Sequence, residues 1–516
     1  MSSYPCAIFP EEIEPFVQSL RPYDVADIGS KRWIEQHEVL LKLCQQAYIE
    51  ASTKQEEVVK EYLILEGKIP LLIHELFSVL VWRTKVLPRL LALEDPESNF
   101  LLYSVIYHEV NIGSMLETIL YHRNSCEALG GNALDLIDYC AQALGRLMGL
   151  LANGYNDRED DPPPEQLLNE STKEEICRMQ RGLDFRIGMK CLSIVSYLVD
   201  GLDQLPLSVA TRLVRVHDFP CLIAEILHSK PWLRRSRAGV FEKFRKDSWQ
   251  PAVGEAVLKV TETEAQTWFC LYKLLFNGEV MRDYEINNYR QREIGKCVGL
   301  LNENLLDQLP ALIPLKQHLC TLQVTKEAGG NQTTRNDVLL LEELPEVHDK
   351  LLSDARRFGW DNIVERQRTI FIDVKQEDVR EMAKRITAAY NMDLLENYIT
   401  KEDEEVQTGP LAELLVRIDS DQRNLMLVAQ GSNELLVLRL VAALGQNAQH
   451  GLTLVQGLAR LVNTVHQPIG NQRLLQHLLE GGVDIHGAIG GRNWSLTAKE
   501  MSLLNTSRGL LIEPRV

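Results

Sequence analysis

Proline placement constrains this chain most, because it recurs at the same point of apolar runs along the sequence. In Ile69-Pro70-Leu71-Leu72-Ile73-His74-Glu75-Leu76 a proline is followed at once by branched aliphatic residues. Proline fixes φ and lacks an N–H, so it suits the first turn of a helix and is expelled from the interior. The same order returns in Phe219-Pro220-Cys221-Leu222-Ile223-Ala224-Glu225-Ile226, and more loosely in Leu309-Pro310-Ala311-Leu312-Ile313. A proline-free echo, Ile112-Gly113-Ser114-Met115-Leu116 through Leu120, follows the first run by about 44 residues, inside the armadillo/HEAT period of roughly 40 to 47. The stretch from Leu205-Pro206-Leu207 to Val216, then His217-Asp218, then Pro220 onward reads as two helices joined by a very short turn. The pattern predicts an all-α fold of armadillo/HEAT-like stacked helical hairpins. An irregular helical bundle satisfies it too, and is also all-α.

Periodicity elsewhere agrees. From Ser30, an N-cap residue type, Trp33, His37, Leu40, Leu41, Cys44, Ala47 and Tyr48 form one stripe at helical spacing. A helix over residues 54–66 is closed by Gly67, which tolerates a left-handed cap. Leu344-Pro345 starts a further helix. Val257 to Val260 and Thr369 to Ile372 are the strand-like runs, so β structure is expected to be small.

Breaks divide the chain. Residues 154–170 carry five acidic residues and three prolines before Gln166, a composition that resists packing and reads as a solvated linker. The expected units are an N-terminal helical array over 1–153, that linker, a second array over 171–396 and a separate, mostly helical tail over 397–516. A Gly-rich break at 327–334 interrupts the second array. In the tail, Lys401-Glu402-Asp403-Glu404-Glu405 reads as an acidic hinge. Leu411 to Ile418, Glu434 to Leu444, Leu452 to Val465 and Gln472 to Leu479 read as helices.

Composition narrows the function classes. Among 516 residues, 45% are apolar and 25% charged, ordinary values for a chain that folds. The formal charge of −17 argues against a nucleic-acid binder, whose affinity comes from clustered Lys and Arg. All ten cysteines end at Cys320, with no C-x-x-C pair among them, which speaks against a disulfide framework and a cysteine-based zinc knuckle. The thiols read as small buried apolar groups. The start shows no secretory signal. Runs such as Ile69 to Trp82 and Leu435 to Leu444 fall short of the roughly 20 residues that cross a bilayer. A reducing cytosol is the expected compartment.

Catalytic signatures are missing: no phosphate loop, no G-x-G-x-x-G after a strand, no G-x-S-x-G and no H-E-x-x-H. The pairs His37-Glu38, His74-Glu75 and His108-Glu109 lack the second histidine one turn on. They read as residues at helix boundaries or on partly buried faces. The segment Trp232-Leu233-Arg234-Arg235-Ser236-Arg237, followed by Phe241, Lys243, Phe244, Arg245, Lys246 and Trp249, is basic and interleaved with aromatics. Trp232, Arg234, Arg235 and Arg237 are therefore candidate partner-binding residues, since arginine forks grip carboxylates and aromatics anchor interfaces. The same run also reads as a solvated inter-helix loop whose tryptophans fold back onto the core.

Several blocks together resemble a known family: Ile28-Gly29-Ser30-Lys31-Arg32-Trp33-Ile34-Glu35-Gln36-His37-Glu38, Gly67-Lys68-Ile69-Pro70, Tyr107-His108-Glu109, Leu116-Glu117-Thr118, Tyr121-His122 and Leu134-Asp135-Leu136-Ile137-Asp138-Tyr139-Cys140. Further along come Asp203-Gln204-Leu205-Pro206-Leu207-Ser208, His217-Asp218-Phe219-Pro220-Cys221-Leu222, Lys230-Pro231-Trp232, Leu305-Leu306-Asp307-Gln308-Leu309-Pro310 and Glu343-Leu344-Pro345-Glu346. In this order they resemble the zinc finger MYND domain-containing protein 10 family, over about three quarters of the chain to Leu394-Leu395-Glu396. The resemblance implies a non-enzymatic adaptor or co-chaperone for cytoplasmic pre-assembly of axonemal dynein arms, in the cytoplasm, in dynein assembly particles or at centriolar satellites. Its implied partners are a leucine-rich-repeat assembly factor, an immunophilin, heat-shock chaperones and dynein chains. The family ends in a MYND finger binding two zinc ions, and this chain has no cysteine beyond Cys320, so no zinc ligand and no other cofactor is expected. A general armadillo-like scaffold serving another complex is the alternative, and an enzyme ranks third because no SET-type motif is found.

Overall fold

A computed structural model describes residues 7–53, 56–96, 98–157, 170–236, 239–324, 344–374 and 376–389, and the backbone of 416–420 and 423–427. The described residues are mostly helical, as the periodicity predicts. The N-terminal run comprises α1 (Pro10–Ser19), α2 (Lys31–Ser52), α3 (Val58–Leu65), α4 (Ile69–Val81), α5 (Leu87–Leu93), α6 (Phe100–Ile119), α7 (Arg123–Glu127) and α8 (Ala133–Ala152). Ser30 caps α2, its Oγ accepting from the Trp33 N–H. Gly67 closes α3 at φ +59° while the Lys68 N–H returns to the Leu63 carbonyl. Pro70 stands in the first turn of α4, where its missing N–H costs nothing.

The proline-free echo behaves differently. Ile112 to Leu120 begins inside α6, so no helix starts there. Without a breaker the helical ladder runs on through Gly113. Pro88 has the opposite effect: its ring crowds the carbonyl four residues back, and Trp82–Val86 widens into a π turn in which the Leu87 N–H reaches the Trp82 carbonyl.

After the 154–170 segment, of which 158–169 lie outside the described residues, come α9 (Thr172–Asp200), α10 (Leu207–Thr211) and α11 (Phe219–Ser229). The 29 residues of α9 extend roughly 44 Å, and a capping box at Ser171 and Glu174 starts it. It lies against α6 and α8. Between α10 and α11 sits a second π turn, Arg212–Val216, and then Asp218 in the left-handed region. The strands follow: β1 (Leu233–Arg235), β2 (Phe241–Arg245) and β3 (Ser248–Ala252), an antiparallel meander. Both expected strand runs are corrected here. Val257 ends a 3-10 turn, and Thr369 to Phe371 close a helix. The strands instead occupy the run read as basic and aromatic, where alternation of large and polar residues outweighs its charge.

The remaining helices are α12 (Glu262–Phe276), α13 (Gly278–Asp283), α14 (Asn288–Gly295), α15 (Glu303–Gln308), α16 (Ile313–Val324), α17 (Val347–Phe358), α18 (Trp360–Phe371) and α19 (Gln376–Ala389). Helix α12 completes the surround of α9, and α17 to α19 return to the N-terminal helices. Gln367, fully buried on α18, accepts from Trp82 Nε1 at 2.8 Å and donates to the Val25 and Ile28 carbonyls. Gly29 makes this contact possible. It sits at φ +81°, and a Cβ there would lie 2.4 Å from the Phe371 ring.

Met1–Gln407 forms one compact unit, with helices from both sides of 154–170 interleaved. Thr408–Val516 forms a second, in which β4 (Val416–Ser420) and β5 (Arg423–Leu427) pair antiparallel. The helix expected at Leu411 to Ile418 is thus replaced from Val416 by a strand, whose alternating Val416 and Ile418 suit a pleat. The Gly-rich break, the acidic hinge and the other three tail helices lie outside the described residues. Among the described residues no helix is long and apolar enough to cross a membrane.

Candidate functional site

The three His-Glu pairs test the search for chemistry. His37 and His108 are buried in mid-helix, not at boundaries, and their Nδ1 atoms meet at 2.8 Å across α2 and α6. Trp33 stacks on His37 at 5.4 Å. Burial holds His108 down to about 3 and His37 well below its ordinary value, so both rings are neutral. Glu75 on α4 lies 3.3 Å from His108 Nε2 and accepts from Gln36 Nε2 at 2.7 Å. Burial pushes its carboxyl up to about 7. His74 is half-buried and pairs with the Tyr23 carbonyl. Beside these groups is a cavity of about 10 Å³, bounded by Trp33, His37, Ser104 and Phe371, room for at most about one water.

A second buried network crosses four elements. Arg83, delivered by the π turn, contacts Glu109 at 2.7 Å and Asp184 at 2.6 Å. Arg146 also reaches Asp184, and Tyr139 donates to Glu109 at 2.6 Å. Two cations balance two carboxylates, which is how charges survive in a core. The sequence held one signal for this: α4 and α6 are apolar on every side, so Glu75 and Glu109 had no wet face to occupy.

Both networks pair their charged groups internally. The described cysteines are free, and only Cys177 and Cys320 among them are exposed. Burial pushes the Cys44 thiol up to about 12 and the Cys126 and Cys221 thiols to about 11, which suppresses the thiolate. Among the described residues no three His, Cys, Asp or Glu side chains are grouped to hold a metal ion. The donors of a cysteine-rich zinc module do not fit this chain, since its last cysteine is Cys320.

The basic, aromatic run becomes the β-meander, and the register sorts its residues onto two faces. Leu233 stands opposite Lys243 and Lys243 opposite Gln250, while Arg234 stands opposite Glu242 and Glu242 opposite Pro251. The second face turns inward. Trp232 is 1% exposed, Phe244 meets Phe185 of α9 edge-on at 5.1 Å, and Trp249 stacks on Phe185 at 5.5 Å. Arg234, 8% exposed, pairs with Glu242 at 2.8 Å and lies 4.0 Å over the Trp249 ring. Trp232 and Arg234 are thereby built into the core, as the loop reading expected of the tryptophans. Arg235 faces solvent, its guanidinium 4.8 Å over Phe241. Arg237 lies outside the described residues.

The hairpin between β2 and β3 is strained. Lys246 and Asp247 both hold positive φ, 47° and 58°, which costs about 1–2 kcal/mol per non-glycine residue. Asp247 offsets this by pairing with buried Lys190 of α9 at 2.5 Å, and Lys190 also reaches Glu117 at 3.2 Å.

Comparison with known proteins adds the lineage. No protein-family model matches the chain, and no solved structure matches it. It is similar to the zinc finger MYND domain-containing protein 10 homolog of Drosophila melanogaster, with 40% identity over 390 residues, covering 75% of this chain and 84% of the fly protein. Identity at that level, over that length, reflects shared descent of the body of the protein, and the chain belongs to the zinc finger MYND domain-containing protein 10 family.

Proposed function

We propose that the chain is a non-enzymatic adaptor for the cytoplasmic pre-assembly of axonemal dynein arms. The observation that carries this reading is the 40% identity to the fly family member across 84% of its length. Support comes from the interior, whose ionisable groups are spent on holding helices together, with Arg83, Glu109, Asp184 and Glu75 all internally paired. The partners in this reading are proteins: a leucine-rich-repeat assembly factor, an immunophilin, heat-shock chaperones and dynein chains. With no cysteine beyond Cys320, this reading assigns those contacts to the helical unit and its meander.

The test is depletion in cells bearing motile cilia, followed by electron microscopy of axonemes and rescue with this chain. Missing dynein arms, restored by rescue, are expected. Normal arms after complete depletion would refute the reading.

A further inference from the structure

The face of the meander turned away from Phe185 gathers cations that, among the described residues, have no carboxylate at ion-pair distance. Leu233, Arg235, Phe241, Lys243, Arg245 and Gln250 share this face by register. Lys243, at its centre, is only 4% exposed and donates to the Lys259 carbonyl. Burial lowers its pKa, and Arg245 and Lys230 lie close enough to lower it further, while Glu264 opposes them. Lys230, Arg245, Arg235 and Lys259 share the neighbourhood of Lys243. Among the described residues none of these four has a carboxylate at ion-pair distance, although Glu264 of α12 faces Lys230 and Lys243, whereas Arg234 and Lys190 are both paired. In a chain of net charge −17 this local excess of positive charge runs against the whole. Apolar side chains flank it: Val240 is 38% exposed, Leu258 57% and Val253 75%.

We propose that this face docks an acidic segment of a partner protein, one in which carboxylates are interspersed with aliphatic side chains. Cations answer the carboxylates, and Val240, Val253 and Leu258 answer the aliphatic residues. Arg235, laid on Phe241, presents a fork already ordered, which reduces the entropy lost on binding. Side chains do the reading, because both sheet edges are closed to an added strand. Asn156 Nδ2 donates to the Pro231 and Leu233 carbonyls along β1. On β3 the outward backbone positions are Trp249 and Pro251, and Pro251 has no N–H. A nucleic acid fits less well, since the rest of the chain repels a long polyanion. The proposal rests on the adaptor reading only in taking the partner to be a protein.

The test uses the purified full chain and a fluorescein-labelled peptide repeating Glu-Leu-Asp-Glu-Leu, titrated by fluorescence anisotropy. Saturable binding that weakens with added salt is expected, with at least a roughly tenfold loss in the double variant R235E/K259E, about 1.4 kcal/mol. Both side chains are exposed, so circular dichroism should report an unchanged fold. K259E alone serves if the double variant does not fold, with about half that loss in free energy expected. K350E, on the exposed face of α17, should bind as the unmodified chain does. Absence of peptide binding, equal affinity in the charge-reversed variants, or tighter binding of single-stranded RNA than of peptide would each overturn the proposal. Because no cilium is involved, its failure is separable from failure of the depletion test.

Discussion

Glu75 offers the sharpest test of the buried network, because its carboxyl is fully enclosed and burial pushes it up to about 7, against 4.5 as the ordinary value. The folded state therefore holds the proton more tightly than the unfolded chain. Stability from this group is fully present below about pH 4.5 and is lost as pH rises through 7. A difference of 2.5 pH units corresponds to about 3 kcal/mol at pH 9, falling to under about 1 kcal/mol at pH 5. Replacing Glu75 by Gln removes the titration while keeping the shape: the new Oε1 accepts from Gln36 Nε2, and the new amide donates to His108 Nε2. For a unit ending at Gln407, 3 kcal/mol amounts to roughly 4 °C in Tm. Thermal unfolding followed at 222 nm should show E75Q and the unmodified chain nearly together at pH 5, with E75Q about 4 °C higher at pH 9. Parallel curves across that range, or a less stable E75Q at pH 9, would refute the assignment.

Other expectations follow from the same contacts. His37 and His108 resist protonation in the fold, so the unfolded chain takes up more protons below about pH 6.5 and stability should fall as pH drops through that range in a denaturant titration. Arg83→Met leaves Glu109 and Asp184 in excess and should cost about 3–5 kcal/mol, much of it recovered in the double variant with E109Q. Gly29→Ala combines positive φ with a collision on Phe371 and should cost several times more than Gly67→Ala, which has positive φ but open space around it and should lose about 1–2 kcal/mol. Equal losses at the two glycines would show that the Gly29 and Phe371 contact does not form.

Much of the helical frame was legible because it is written in short-range chemistry. Ser30 caps α2, Gly67 closes α3, and Pro70 and Pro220 stand in first turns as read. The echo at Ile112 misled, since resemblance of an apolar run says nothing about where a helix starts when no breaker is present. The strands misled for a related reason. Val257 to Val260 has β-branched residues but no neighbour to pair with, while Trp232 to Ala252 finds its partners in its own hairpins. Of the candidate partner-binding residues, Arg235 stands on the surface, while Trp232 and Arg234 belong to the interior because period-2 alternation puts them on the face toward Phe185, a placement that depends on the sheet and not on the residue types.

The amino-acid order alone determined the helical class, the lineage and the absence of cysteine beyond Cys320, because caps, prolines and residue identities act locally or can simply be counted. Tertiary structure decided the rest. Which glutamates share a core with which arginines, which histidines stay neutral and which cations are left without a partner all depend on contacts such as Trp82 with Gln367, 285 positions apart. Desolvation and pairing act through space, and no local reading of the chain contains them.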